Sequence, residues 1–101
     1  MNINVHSLNF DADKKLIEFI NQKMEKLSQV APDIISADVT LKVENTDNLE
    51  NKFVEVLIDI PRKDGVFAKK QGKSFEEAVD LNYQALRRQL KKFKEKQRQK
   101  K

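Results

Sequence analysis

The sequence predicts an α+β domain of order β-α-β-β-β-α, with two helices packed on one face of a four-stranded sheet. Three observations carry this expectation. Apolar and polar residues alternate with period two near residues 3–5, 37–43 and 54–60, the signature of half-buried strands. Two other segments repeat their apolar residues at helical spacing. Strands and helices alike show a single apolar face, so shared burial puts both helices on the same side of one sheet. With 101 residues the chain fills one core, and 39% hydrophobic against 36% charged residues suits a thin two-layer domain. That domain is expected over residues 1–97, with 98–101 a basic frayed tail.

Ile3 and Val5 alternate with Asn2 and Asn4 as a short first strand. Asp11 is expected to cap the first helix, with Asp13 in its first turn, and Leu16, Ile17, Ile20, Met24 and Leu27 continue the helix to about Ser28. Pro32 excludes further continuation. Ala37, Val39, Leu41 and Val43 then alternate with Asp38, Thr40, Lys42 and Glu44. A polar turn at 45–51 leads to Val54, Val56, Ile58 and Ile60, so the two strands form a hairpin that ends at Pro61. Lys63-Asp64-Gly65 offers the next turn, residues 66–70 a short fourth strand, and Gly72 its end. Ser74 and Glu77 form a capping-box pair. Beyond them Phe75, Ala78, Val79, Leu86, Leu90 and Phe93 fall on one stripe of a long helix reaching about Gln97.

The second sheet face is expected to be polar, apart from Phe53 and Leu57, which mark either a partner surface or an imperfect assignment of faces. Phe10, Phe19, Phe53, Phe67 and Tyr83 are able to stack on bases, but core packing is the default reading for most of them.

Charge is distributed unevenly. Residues 1–60 hold six Lys/Arg against eleven Asp/Glu, a net of −5, and residues 61–101 hold fourteen against five, a net of +9. Such asymmetry points to a polyanionic partner. Taking about 100° per residue, the second helix carries Arg87, Lys91, Lys94 and Arg98 on a stripe beside its apolar one, and Arg88 and Lys92 extend the charge around its back. Cations at this spacing are able to meet successive phosphates of an RNA groove or channel. The alternative is a solvated helix whose lysines favour its C-terminal dipole. Against it, nine cations and one acid, Glu95, occupy residues 87–101, with a near absence of the acidic partners that solvated helices carry four residues away. Lys23, Lys26, Arg62, Lys63, Lys69, Lys70 and Lys73 are further candidates for the same surface, although each alone reads as an ordinary surface cation.

Other chemistries fail on the residues. Without cysteine the chain has no disulfide, thiolate ligand or cysteine nucleophile, and a reducing cytoplasm fits best. Residues 1–10 carry neither the basic cluster nor the apolar run of a signal peptide or membrane anchor. Gly72-Lys73-Ser74 resembles the end of a phosphate-binding loop, but that pattern demands glycine where Phe67 stands. His6 is the sole histidine, and nothing pairs it with a nucleophile or metal ligands. No enzymatic activity, cofactor, small-molecule substrate or membrane partner is expected.

With this element order, Lys23-Met24-Glu25-Lys26-Leu27 ending the first helix and residues 86–94 (LRRQLKKFK) in the second, the chain resembles the ribosome hibernation promoting factor family over almost its whole length. This family is also called the ribosome-associated inhibitor or sigma-54 modulation family. The resemblance implies a fold similar to double-stranded-RNA-binding domains. It also implies binding to ribosomal RNA of the small ribosomal subunit, in the channel for messenger and transfer RNA, and silencing of translation in starvation. Lys23, Lys26, Arg87, Arg88, Lys91, Lys92 and Lys94 match the family's basic helix positions and inherit an RNA-contacting role; Asp80 matches an acidic one. Lys73-Ser74-Phe75 departs from the family's Asp-Met-Tyr, and Val30-Ala31-Pro32 lacks the usual aromatic. Ending at Lys101, the chain resembles the short form, for which ribosome pairing would require a separate partner such as a ribosome modulation factor. Two rival readings are a general double-stranded-RNA binder and a protein-interaction module acting on a sigma factor.

Overall fold

A computed structural model describes residues 1–44, 47 and 49–99, with the backbone alone for Gln99. Its elements are β1 (Asn2–Leu8), α1 (Lys14–Glu25) continued by a 3-10 turn (Lys26–Gln29), β2 (Ser36–Val43), β3 (Lys52–Ile60), β4 (Lys63–Gly72) and α2 (Phe75–Gln99). The sheet order is β1-β2-β3-β4. β1 runs parallel to β2, as the crossover through α1 requires, and the other neighbours are antiparallel.

Strand register explains the single core. One inward row across the sheet is Ile3, Ala37, Ile58 and Val66, and the next is Val5, Val39, Val56 and Ala68. Onto these rows pack Leu16, Ile20 and Met24 of α1, Leu27 of the 3-10 turn, and Phe75, Ala78, Val79, Leu86 and Leu90 of α2. Both helices therefore cover the same face, as the one-faced patterns predict. Asn82, within the apolar stripe of α2, is fully buried, and its amide nitrogen donates to the carbonyls of Val54 (3.0 Å) and Ala78 (2.9 Å). This bond pins α2 across β3.

Three local expectations are corrected. The cap of α1 is Asp13, not Asp11: its carboxylate accepts from the Leu16 amide at 2.7 Å. Before it, Asn9 adopts φ 66 and the Phe10 ring stacks on Phe75 at 5.1 Å, so the chain turns and docks an aromatic before the helix begins. The hairpin turn after β3 lies at Pro61-Arg62 and not at residues 63–65, because Ile60 already pairs with Lys63. Proline followed by a residue of positive φ is the order that type II turns favour. β4 accordingly spans 10 residues and is not the short strand expected over 66–70. The turn predicted at 45–51 falls partly outside the described residues.

Arg62 holds φ 68, a conformation costing a residue with a side chain about 1–2 kcal/mol. R62G is therefore expected to stabilise the fold by up to about 1 kcal/mol, after the greater freedom of glycine in the unfolded chain is set against it. A thermal midpoint raised by a few degrees is the expected reading; a lowered one contradicts this assignment of the turn.

At the start of α2, the Glu77 amide donates to Ser74 Oγ at 3.1 Å, as the capping pair predicts. The Glu77 side chain also folds over Gly72, where a Cβ would lie 2.9 Å from its Oε1 and 3.2 Å from its Cβ, so a larger residue there would displace Glu77. α2 continues through Arg98 to Gln99, while residues 100 and 101 of the expected tail lie outside the described residues.

Candidate nucleic-acid interface

The apolar stripe of α2 is buried on the sheet by Leu86 and Leu90, which turns the flank carrying Arg87, Lys91, Lys94 and Arg98 towards the end of α1. Between the two lies an open groove of about 430 Å³, lined by those four cations with Lys26, Gln29, Val30 and Glu95. Arg87, Lys91 and Arg98 are exposed. Lys94 is drawn inward, its ammonium spanning the two carboxylate oxygens of Asp33 at 2.7 and 2.8 Å. Five cations against the carboxylates of Glu95 and Asp33 still leave a positive surface that attracts polyanions.

Across the ridge formed by Arg87 and Lys91 a second concavity is lined by Tyr83, Gln84, Arg87, Arg88 and Lys91. Lys23 stands beside it but is engaged. Its ammonium bonds Asp80 Oδ1 at 2.8 Å and lies between two rings, 5.2 Å from the centroid of Tyr83 and 5.8 Å from that of Phe19. The matching acidic position, Asp80, thereby clamps α1 to α2 beneath the cationic ridge.

The remaining candidates divide by location. Arg62 lines a third concavity with Phe93, Lys96 and Gln97, and the Lys63 ammonium lies 5.6 Å from the Phe93 ring, so both join the basic end of α2 from its other flank. Lys92 is exposed at the back of the helix and lines none of these three concavities. Lys69 sits on the far sheet face, paired with Glu55 at 3.5 Å and 5.9 Å from the Phe53 ring. Lys70 and Lys73 are exposed where β4 ends and α2 begins. At about 1.5 Å rise per residue, the start of α2 lies some 35 Å along the helix from Arg98. The structure thus gathers Lys26, Arg87, Arg88, Lys91, Lys94 and Arg98, and sets Lys69, Lys70 and Lys73 apart.

Asp80 and Asp33 both have carboxyl pKa values held below the usual range, first through the hydrogen bonds from Lys23 and Lys94 respectively. A carboxylate whose pKa is lowered on folding contributes stability above its unfolded pKa, and loses it as pH falls through the folded value. Acidification below about pH 4 should therefore loosen both clamps. Each pair is partly exposed and screened, so about 0.2–1 kcal/mol apiece is expected. D80N should flatten the acid limb of stability against pH, read by thermal unfolding between pH 3 and 6; an unaltered acid limb would contradict the clamp.

Among the described residues, no group of three or more His, Cys, Asp or Glu is placed to hold a metal, and no helix is long and apolar enough to cross a membrane.

The fold and its grooves define an α+β domain with one strongly cationic helical flank. The model of the family described as "Sigma 54 modulation protein / S30EA ribosomal protein" matches residues 3–98, and the chain belongs to that family. In fold it is similar to a ribosomal subunit interface protein from Coxiella burnetii, at 21% identity and TM-score 0.81, covering 93% of this chain and 98% of that one. It is likewise similar to the N-terminal domain of Protein Y from Thermus thermophilus, at 20% identity and TM-score 0.80, covering 92% and 99%. None of the curated proteins matches the chain.

Proposed function

We propose that the protein binds ribosomal RNA of the small ribosomal subunit in the cytoplasm, in the channel for messenger and transfer RNA, and silences translation in starvation without catalysing a reaction. The groove between α2 and the 3-10 turn carries this reading, because Arg87, Lys91, Lys94 and Arg98 of α2 converge there with Lys26 of the turn. Family membership and the ribosomal subunit interface protein of the same fold support the choice of ribosome over other polyanions. Affinity would come from phosphate contacts, and specificity from the shape of the RNA.

The test is cosedimentation with vacant bacterial ribosomes at low and high salt, combined with in vitro translation and competition by free duplex RNA. Salt-sensitive cosedimentation, inhibited translation and weak competition are expected. Absence from the ribosomal fractions at every salt would overturn the proposal, and equal competition by duplex RNA would favour a general duplex binder.

One observation favours a protein partner as a second reading. Leu57 and Phe67 face one another across β3 and β4 on the sheet face away from the helices, 46% and 50% exposed. A sigma factor or other protein bound there would remain bound at high salt.

A further inference from the structure

We infer that the concavity lined by Tyr83, Gln84, Arg87, Arg88 and Lys91 is a cup for one unstacked nucleobase of single-stranded RNA, with Tyr83 as its stacking platform. This rests on the RNA-binding reading above and extends it from phosphate contact to base contact.

The geometry supplies the parts of such a cup. Tyr83 is half-buried, so its ring is anchored against the core while its remaining surface lines the concavity. Its position is set by a cation over one face of the ring, so a base would stack on the other. Asp80 holds the Lys23 ammonium with Oδ1, and that ammonium lies 5.2 Å from the Tyr83 ring. The other carboxylate oxygen of Asp80 accepts from Gln84 Nε2 at 2.9 Å. Gln84 is thus oriented by its amide nitrogen, which leaves its carbonyl oxygen as an acceptor for the exocyclic amine of a base.

Around this platform the cations fall at helical spacing. Arg87 is four residues from Tyr83, Arg88 four from Gln84, and Lys91 four from Arg87, so each stands one turn further along the same flank. A base on Tyr83 would have its own phosphate and its neighbour's within the field of Arg87, Arg88 and Lys91. A flat aromatic surface beside fixed cations suits nucleotides, which join a π-face to a phosphate, better than an acidic peptide, which supplies only the charge. A duplex does not offer an unstacked base, so the cup selects single-stranded segments. Arg87 and Lys91 also line the neighbouring groove, so one ridge would serve the phosphates on both sides.

A short single-stranded RNA containing one 2-aminopurine tests this, since the fluorescence of that base is quenched by stacking. The wild-type protein and Y83F are expected to quench it on binding. Y83L is expected to lose the quench and to bind the oligonucleotide and small subunits about 10-fold more weakly. Thermal unfolding of Y83L at the assay temperature separates loss of the ring from loss of the fold. If Y83L unfolds, wild type decides alone: saturated binding without a quench overturns the inference. Wild-type binding to small subunits with Y83L unchanged also overturns the cup and leaves the ribosomal reading standing. A Tyr83-dependent quench without small-subunit binding has the opposite meaning: the cup stands and the ribosomal reading falls.

Discussion

Replacing Arg87, Lys91 and Arg98 together by glutamine is expected to weaken binding to small ribosomal subunits by about 10²–10³-fold near physiological salt. Each of the three is exposed and lines the groove beside α1, so each is able to replace counterions on a phosphate. At roughly 0.7–0.9 units of slope per contact, the dependence of log K on log salt should flatten by about 2–3 units. Stability should change little, because all three side chains are exposed and Leu86, Leu90 and Asn82 hold the helix from its other side. Titration of labelled protein with purified small subunits at several salt concentrations measures both quantities. An unaltered slope would mean that the groove does not meet phosphate. Lys94 is left out of this variant because its bond to Asp33 gives it a structural part as well.

The second large effect comes from the buried side of the same helix. Leu86 is fully buried between α2 and the sheet, and L86A should cost about 2–5 kcal/mol through lost burial and the cavity left behind. For a domain of this size that lowers the thermal midpoint by roughly 10–20 °C or more. Binding should fall with the folded fraction and recover on cooling, although no charge has been touched. This would show that the cationic flank acts only as part of the packed fold. Circular dichroism melts alongside binding at two temperatures check it. Full binding at a temperature where circular dichroism reports L86A unfolded would contradict the account, because the helix would then act without its sheet.

Much of the architecture is legible in the sequence because each element buries one face and so repeats its period cleanly. Ala37 to Leu41, Val54 to Ile60 and the stripe from Phe75 to Leu90 follow their predicted faces, whereas Val43, expected on the buried face, is exposed at the end of β2. The failures sit where backbone conformation outweighs pattern. Asp11 and Asp13 are equally good caps by composition, and what separates them is the bond from the Leu16 amide to the Asp13 carboxylate, which no pattern reports. Lys63-Asp64-Gly65 carries stronger turn residues than Pro61-Arg62, yet strand pairing forces Arg62 to positive φ. Asn82 is invisible to a periodicity argument, since its amide earns its place through the carbonyls of Val54 and Ala78.

The candidate site was legible as a row of charges but not as a surface. Helical spacing places Arg87, Lys91, Lys94 and Arg98 on one flank, whereas the junction with Lys26 depends on how α1 crosses α2. The same crossing withdraws Lys23 into a bond with Asp80, a contact between residues 57 apart that no local pattern reports. Phe67, read by default as core, is half exposed, because its place in β4 points it to the outer sheet face opposite Leu57.

The absence of cysteine from the sequence allows a site-directed test of whether the groove beside α2 lies against small-subunit RNA. A single cysteine introduced at Gln29, which lines the groove, carries tethered iron-EDTA into the complex with small subunits. A second variant carries it at Asp59, exposed on the outer sheet face. Strong, localised cleavage of ribosomal RNA is expected from position 29 and much weaker cleavage from position 59. Cleavage that is absent from both positions, or stronger from position 59, would contradict that placement of the groove.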